Sequence, residues 1–414
     1  MTESALASMP RVGIDETVAF WREGYPYVST RCDALGTDAF RTRLLMRPVV
    51  CARGSRAAQT FYDGELFTRT GAMPRSAQHL LQDVGSVQDL DGERHARRKE
   101  LFLGLLAPTS VDSFIATLSS VWETRTQSWR AGETIELYSA LNSVLTEAAM
   151  RWVGLPTGPA SVRRRCSELS AMVDYAGAFG PTNWWARLLR RRSERWAMSS
   201  IDGIRSGHLE TEADTLVQAI ATHREDDEPL DARTAAVELL NVLRPVVAIS
   251  RFAVFAAVAM WSYPQWRERV RQGNPATVHA FVQEVRRYYP FFPVIGGEAL
   301  RDLDLAGHRL AAGTWVILDL YGTNHDPRVW ADPQAFAPER FDDVAAEPNT
   351  LVPQGGGEYA SGHRCPGEAI TVGAVGRIAQ WLAADRYILP AQDLTIDLSR
   401  MPALPRSGMR LTKR

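Results

Sequence analysis

Apolar residues along the chain recur mostly at helical spacing. The stretches Ser110–Trp129, Ile135–Val153, Thr234–Trp261 and Pro275–Tyr288 each predict a helix, and the apolar run Ile370–Ala384 suits a buried one. Strand-like runs are fewer. Leu45–Val50 and Thr314–Asp319 (TWVILD) read as strands, and Asp302–Ala312 has the turn-rich pattern of a hairpin. The region Asp319–Phe341 is punctuated by Pro327, Pro333 and Pro338 and predicts loops. These elements describe a mainly α protein with a small β-sheet region. No repeat, low-complexity tract or long linker divides it, so residues 1–414 are expected to form a single domain.

Composition narrows the class. The chain has 414 residues, 45% hydrophobic and 23% charged, enough to enclose a large core and a buried ligand. A formal net charge of -1 gives no global attraction to nucleic acid or to acidic membranes. Cys32, Cys51, Cys166 and Cys365 are too few and too scattered for a disulfide framework and read as reduced thiols. Met1–Gly13 lacks the basic and apolar segments of a secretory signal. Arg251 interrupts Val242–Trp261, the longest apolar stretch, so no membrane span is expected. Together these readings predict a cytoplasmic protein.

The densest chemistry lies in Gln354–Glu368, QGGGEYASGHRCPGE. Gly355, Gly356, Gly357 and Gly362 precede Cys365; Pro366, Gly367 and Glu368 follow it, and an apolar helix then begins. Proline is well tolerated at a helix start, which puts Cys365 at or just before a helix N-terminus. The positive end of the helix dipole favours a thiolate there. Glycines let the backbone pass close to a flat ligand and aim N–H groups at the sulfur. A lone cysteine beside a turn is usually structural; here the glycines, Cys-Pro-Gly and the helix occur together.

Three further patterns stand out. Glu284 and Arg287, three apart in EVRR, share a helix face and can pair. His95 and Lys99, four apart in GERHARRKELF, share another. Arg244-Pro245 falls in the middle of the apolar segment ELLNVLRPVVAISRF (Glu238–Phe252). Proline there removes a helical hydrogen bond and predicts a kink. A buried arginine among Leu240, Val242, Leu243, Val246 and Val247 is costly without a partner. Asn241 is one turn away but neutral, and Glu238, six residues back, is poorly placed to share its face. Either Arg244 reaches solvent or an unseen acid, or it takes an anion from outside the helix; spacing alone leaves both open.

The segment Gly362-x-x-Cys365-x-Gly367 resembles the signature of the cytochrome P450 family. Gln354-Gly355-Gly356-Gly357 stands where that signature usually begins with an aromatic residue, a departure similar to the bacterial fatty-acid peroxygenases. The likeness extends through FYDGELFTR (61–69), the Arg244-Pro245 segment, FVQEVRRYYPFFP (281–293), DLYGTNHDPRVW (319–330) and MPALPRSG (401–408). It implies the cytochrome P450 fold and haem b ligated by Cys365, with Gly357, Gly362 and Gly367 shaping the binding loop. It also implies a structural ion network of Glu284, Arg287 and, from PERF, Arg340. His95, Arg98 and Lys99 would then hold the haem propionates, as would Arg69, for which a surface role is an equal alternative.

The same resemblance assigns Arg244 and Pro245 to catalysis. Arg244 would bind the carboxylate of a long-chain fatty acid, its fork matching the two oxygens better than an ammonium would. That carboxylate would serve as general acid–base toward hydrogen peroxide, with no obligatory redox partner. The products expected are 2- or 3-hydroxy acids, with 1-alkenes as a side product. Gln88 occupies the position that is histidine in an alkene-forming relative and glutamine in a hydroxylase, so it favours hydroxylation. Val173, Ala176, Phe179, Phe291 and Phe292 are expected to wall the substrate channel. An aromatic that some relatives carry near Gln82 is absent. The basic run Arg187–Arg195 reads as a solvated helix face. Three other readings stay open: a conventional monooxygenase fed by a reductase, a haem-binding sensor without catalysis, and an isomerase of fatty-acid hydroperoxides.

Overall fold

The computed structural model describes residues 9–82, 85–212, 214–342 and 347–414. The first eight residues of the Met1–Gly13 reading lie outside that range.

The organising element is a 31-residue central helix, Ala232–Ser262. Asp231 caps it by accepting a hydrogen bond from Thr234 N at 3.0 Å, and Pro264 follows its end. Pro245 lies inside this helix, which continues past it without a break. The helix is long and apolar enough to cross a membrane, yet 94% of its most apolar window is buried inside the protein, as befits a core helix. Arg251, which interrupts the apolar run, is buried, pairs with Asp174 and donates to Ala403 O at 2.7 Å.

Around it pack the helices Pro108–Gln127, Leu137–Val153, Pro159–Asp174, Pro181–Arg205, Pro275–Tyr288 and Glu368–Ala383. Their shared core includes Phe114, Phe252, Phe255 and Phe281, all fully buried, and burying each such side chain contributes roughly 1.5–3 kcal/mol. This helical layer is therefore the rigid scaffold. The expected boundaries differ from the observed ones by about two residues at most, as helix ends usually do.

The β component is a five-stranded sheet in the order Ala39–Leu44, Arg47–Arg53, Trp315–Asp319, Val294–Ala299, Phe67–Thr68. The second and third strands are parallel and the other neighbours antiparallel. The expected strand Leu45–Val50 is corrected: Leu45 and Met46 form the turn, both at positive φ, and the strand begins at Arg47. The hairpin expected over 302–312 is present as Leu303–Leu305 and His308–Leu310. Within the loop-rich region, Leu320–Asn324 is helical and Pro338–Phe341 forms a short 3-10 turn. One end of the sheet and the central helix face a shared internal space, and the Cys365 loop closes it.

Candidate active site

An internal cavity of about 290 Å³ has Cys365 on one wall and Arg244 on another. The cysteine wall is a loop stretched between Val352 and the helix that starts at Glu368. Its turns need left-handed backbone at Gly355 (φ +92°) and Gly357 (φ +78°), which glycine adopts freely. Cys365 N donates to Gln354 O at 3.1 Å and fixes the sulfur's place. A Cβ on Gly367 would lie 3.6 Å from that sulfur, in ordinary van der Waals contact. Burial pushes the Cys365 thiol up, and the Gly367 N–H partly offsets this. A metal cation at the sulfur would deprotonate it outright.

Sequence reading missed the polar groups behind the sulfur. Gln354 Nε2 lies 3.8 Å from Cys365 Sγ and donates to Thr371 Oγ1 at 3.1 Å, while its Oε1 accepts from Arg286 Nε at 3.1 Å. Arg286 also donates to Gln283 Oε1 at 2.5 Å and pairs with Glu368. The adjacent Arg287 turns the other way. It bonds Glu284 at 2.7 and 2.8 Å and the carbonyls of Asn324, Pro333 and Ala335, and Arg340 Nε lies 3.3 Å from Glu284. The doubled arginine in EVRR was the available signal that two networks start from this helix.

Basic side chains crowd one end of the cavity. Arg69, His95, Lys99 and His363 all line it. Burial lowers Arg69 to about 10, Lys99 to about 8, His95 to about 3 and His363 to about 4. Arg69 lies over the Phe61 ring and donates to Gly296 O at 3.0 Å. Lys99 donates to Gly362 O at 2.8 Å and Arg364 O at 2.5 Å, clamping the cysteine loop. His95 and His363 lie ring to ring at 4.1 Å. Burial would raise the Asp91 carboxyl, but hydrogen bonds from His363, Thr68 and Arg69 N pull it well below the usual carboxylate range. His363, within GHRC, was not singled out from sequence; a histidine two residues before the cysteine was its only mark.

Three expectations on this side need correction. Arg98 does not line the cavity. It is buried, with Nη1 on Glu238 Oε1 at 2.5 Å and its other edge on Glu225 at 2.5 and 2.9 Å, so two acids hold it away from any propionate. Gly357 and Gly362 do not line the cavity either: a side chain at 357 would strike Tyr62 at 2.8 Å, so that glycine seats Tyr62, which does line it, while the Gly362 carbonyl accepts from Lys99 at 2.8 Å.

On the central-helix wall, Arg244 is 4% exposed. Its Nη2 donates to Asn241 Oδ1 at 3.0 Å and its Nη1 lies 3.4 Å from Leu80 O. Pro245 lines the cavity beside it and has no N–H to give the Asn241 carbonyl. Gln88 also lines the cavity, its Oε1 accepting from Ser86 Oγ at 2.8 Å.

A second, more apolar chamber of about 160 Å³ adjoins the first and shares Met73, Ala77, Leu81, Val173, Phe291 and Phe292 with it. Of the expected channel residues, Val173, Phe291 and Phe292 line both chambers, while Ala176 and Phe179 line only the second. Phe179 is 51% exposed, which puts it at the outer mouth. In the basic run, Arg190 is buried and bonds Glu194 at 2.7 Å and Leu80 O at 3.0 Å, so that residue is not part of a solvated face.

The donor set fits haem. A sulfur faces an open slot, glycines flank it, and buried bases cluster where two carboxylates would sit. The class defined by this fold and site is a haem-thiolate protein.

Comparison with known proteins agrees. Residues 276–371 match the family described as Cytochrome P450. Putative cytochrome P450 139 of Mycobacterium tuberculosis is 24% identical over 342 residues, which span 73% of this chain and 77% of that protein. Among solved structures, cytochrome P450SP alpha (CYP152B1) is 41% identical with a TM-score of 0.93, covering 97% of this chain and 98% of the other. Cytochrome P450EX alpha (CYP152N1), solved with myristic acid, is 36% identical with a TM-score of 0.93 and 98% coverage of both chains. An OleT variant in complex with arachidonic acid is 33% identical with a TM-score of 0.94, again covering 98% of both. The chain belongs to the cytochrome P450 family.

Proposed function

We propose that this chain is a haem-thiolate peroxygenase that uses hydrogen peroxide to hydroxylate long-chain fatty acids next to the carboxyl group. The carrying observation is the shared cavity: a guanidinium, Arg244, and the thiol of Cys365 line one cavity that continues into an apolar chamber. Three similar structures fit this reading, since two of them hold myristic or arachidonic acid and a third, of P450SP alpha, holds ibuprofen.

Cys365 would hold the iron, and Arg69, His95 and Lys99 would hold the propionates. Bound haem supplies the oxidising chemistry, and a thiolate ligand favours cleavage of the peroxide O–O bond. The protein's own part is placement. Arg244 binds the fatty-acid carboxylate through two parallel N–H···O bonds, while Val173, Phe291 and Phe292 take the chain. Anchoring the head this way leaves carbons 2 and 3 as the first methylenes beyond the guanidinium. No carboxylate side chain lines the cavity among the described residues. The substrate's own carboxylate therefore accepts a proton from peroxide and returns it to the departing oxygen. The balance is R–H + H₂O₂ → R–OH + H₂O, so no external electrons and no reductase are needed. Gln88, neutral at the cavity wall, offers no proton for decarboxylation and leaves hydroxylation as the main outcome. The chain works as one domain over 1–414, in the cytoplasm.

The test uses purified, haem-loaded protein with myristic acid. Peroxide alone should give 2- or 3-hydroxymyristic acid by mass spectrometry. Product formed only with a reductase and NAD(P)H would replace this reading with a conventional monooxygenase.

A further inference from the structure

Glu238 is completely buried, and three donors converge on it. Arg98 Nη1 and Val87 N reach Oε1 at 2.5 and 3.0 Å, and Asn241 Nδ2 reaches Oε2 at 2.9 Å. Burial raises its carboxyl above the ordinary value, opposed first by the Arg98 charge. An ionised carboxylate can only accept, so the Asn241 amide must turn its nitrogen to Glu238 and its oxygen to Arg244. From Val87, which bonds the same carboxylate, the chain runs directly to Gln88 on the cavity wall. One acid thus bonds both Asn241, which holds Arg244, and the backbone just before Gln88.

We propose that Glu238 is a positioning residue of the substrate-binding wall: it sets the Arg244 fork through Asn241. The inference rests on Arg244 being the carboxylate receptor. The amide between Glu238 and Arg244 is neutral, so this link passes on orientation rather than charge. Arg98 completes the device, because a carboxylate this deep needs a cation, and Glu225 holds that cation from its far side. The residues at 238, 241 and 244 are linked in two steps of three along one helix, while Arg98 lies on a different helix.

The experiment titrates haem-loaded wild type, Glu238→Gln and Asn241→Ala with myristic acid and, separately, with imidazole, which binds iron without a carboxylate receptor. Glutamine at 238 turns an N–H toward Asn241 or Arg98. Alanine at 241 cuts the link while leaving the Glu238–Arg98 pair intact. Each variant should weaken myristic acid binding by about tenfold or more, since sub-ångström misplacement of a receptor carries penalties of that order, and leave imidazole affinity unchanged. In turnover, KM for the fatty acid should rise more than kcat falls. Should Glu238→Gln fail to fold, Asn241→Ala decides alone. Unchanged myristic acid binding in Asn241→Ala, or an equal loss for both ligands, overturns the proposal. So does a wild type that binds no myristic acid. If the wild type binds it and the variants respond as stated, but peroxide gives no hydroxy acid, the assigned reaction fails and the positioning role stands.

Discussion

The two walls of the cavity distribute their polar contacts differently. Behind Cys365, the groups share partners many to many: Gln354 bonds Arg286 and Thr371 and approaches the sulfur, and Arg286 also bonds Gln283 and Glu368. On the central-helix wall, a side-chain relay to Arg244 runs in single file from Glu238 through Asn241. A shared network tolerates the loss of one bond, because the others keep each group in place; a serial one does not. The cysteine wall therefore reads as scaffold, and the opposite wall as the adjustable part of the site.

The largest expected effect comes from the one residue on the cysteine wall that nothing can replace. Cys365→Ala should abolish turnover and remove the red-shifted carbon monoxide band of the reduced protein; an unchanged band would mean another ligand. Next comes the ion network beneath that wall. Glu284→Ala strands Arg287, which has no exposure, and breaking such a buried pair costs about 3–5 kcal/mol. Thermal or urea unfolding checks this, and a loss under about 1 kcal/mol would show that the carbonyls of Asn324, Pro333 and Ala335 suffice for Arg287.

A smaller effect concerns the basic end of the cavity. His95 and His363 titrate at about 3 and about 4 in the fold, below the ordinary 6.5. Between pH 4 and 6.5 the unfolded chain then binds more protons than the folded one, so haem-free protein should gain stability as pH rises through that window. Propionates beside these rings favour their charged forms, so haem should flatten the slope. Unfolding curves of both forms across the window measure it; equal slopes would place the propionates elsewhere. The smallest effect tests redundancy itself. Gln354→Leu should keep the thiolate band and change turnover by less than about tenfold, because the sulfur retains the Gly367 N–H. A larger loss would make the cysteine wall as serial as the other.

How much of this could be read from the sequence depended on distance along the chain. The helices around Arg244 and Glu284 follow from periodicity, and the cysteine loop from its glycines. Glu238 was visible but discounted, since six residues separate it from Arg244; that judgement holds for direct contact and misses the relay through Asn241. Arg98 shows the converse failure. It lies beside Lys99 and His95 in sequence, but neighbouring helical positions point about 100° apart, and Glu225 lies too far along the chain for any spacing rule to connect them. The inner placement of Val173 and the outer one of Phe179 depend on how the Pro159–Asp174 helix ends, which no local pattern encodes.

The central claim is that Arg244 delivers a carboxylate to the iron bound by Cys365. The most direct measurement is peroxide-driven turnover of myristic acid by Arg244→Ala, with haem content and the carbon monoxide band recorded on the same sample. The account predicts an intact band and a rate at least about a hundredfold lower, the scale for losing a group that places the reacting partners. An intact band with wild-type rates would contradict it.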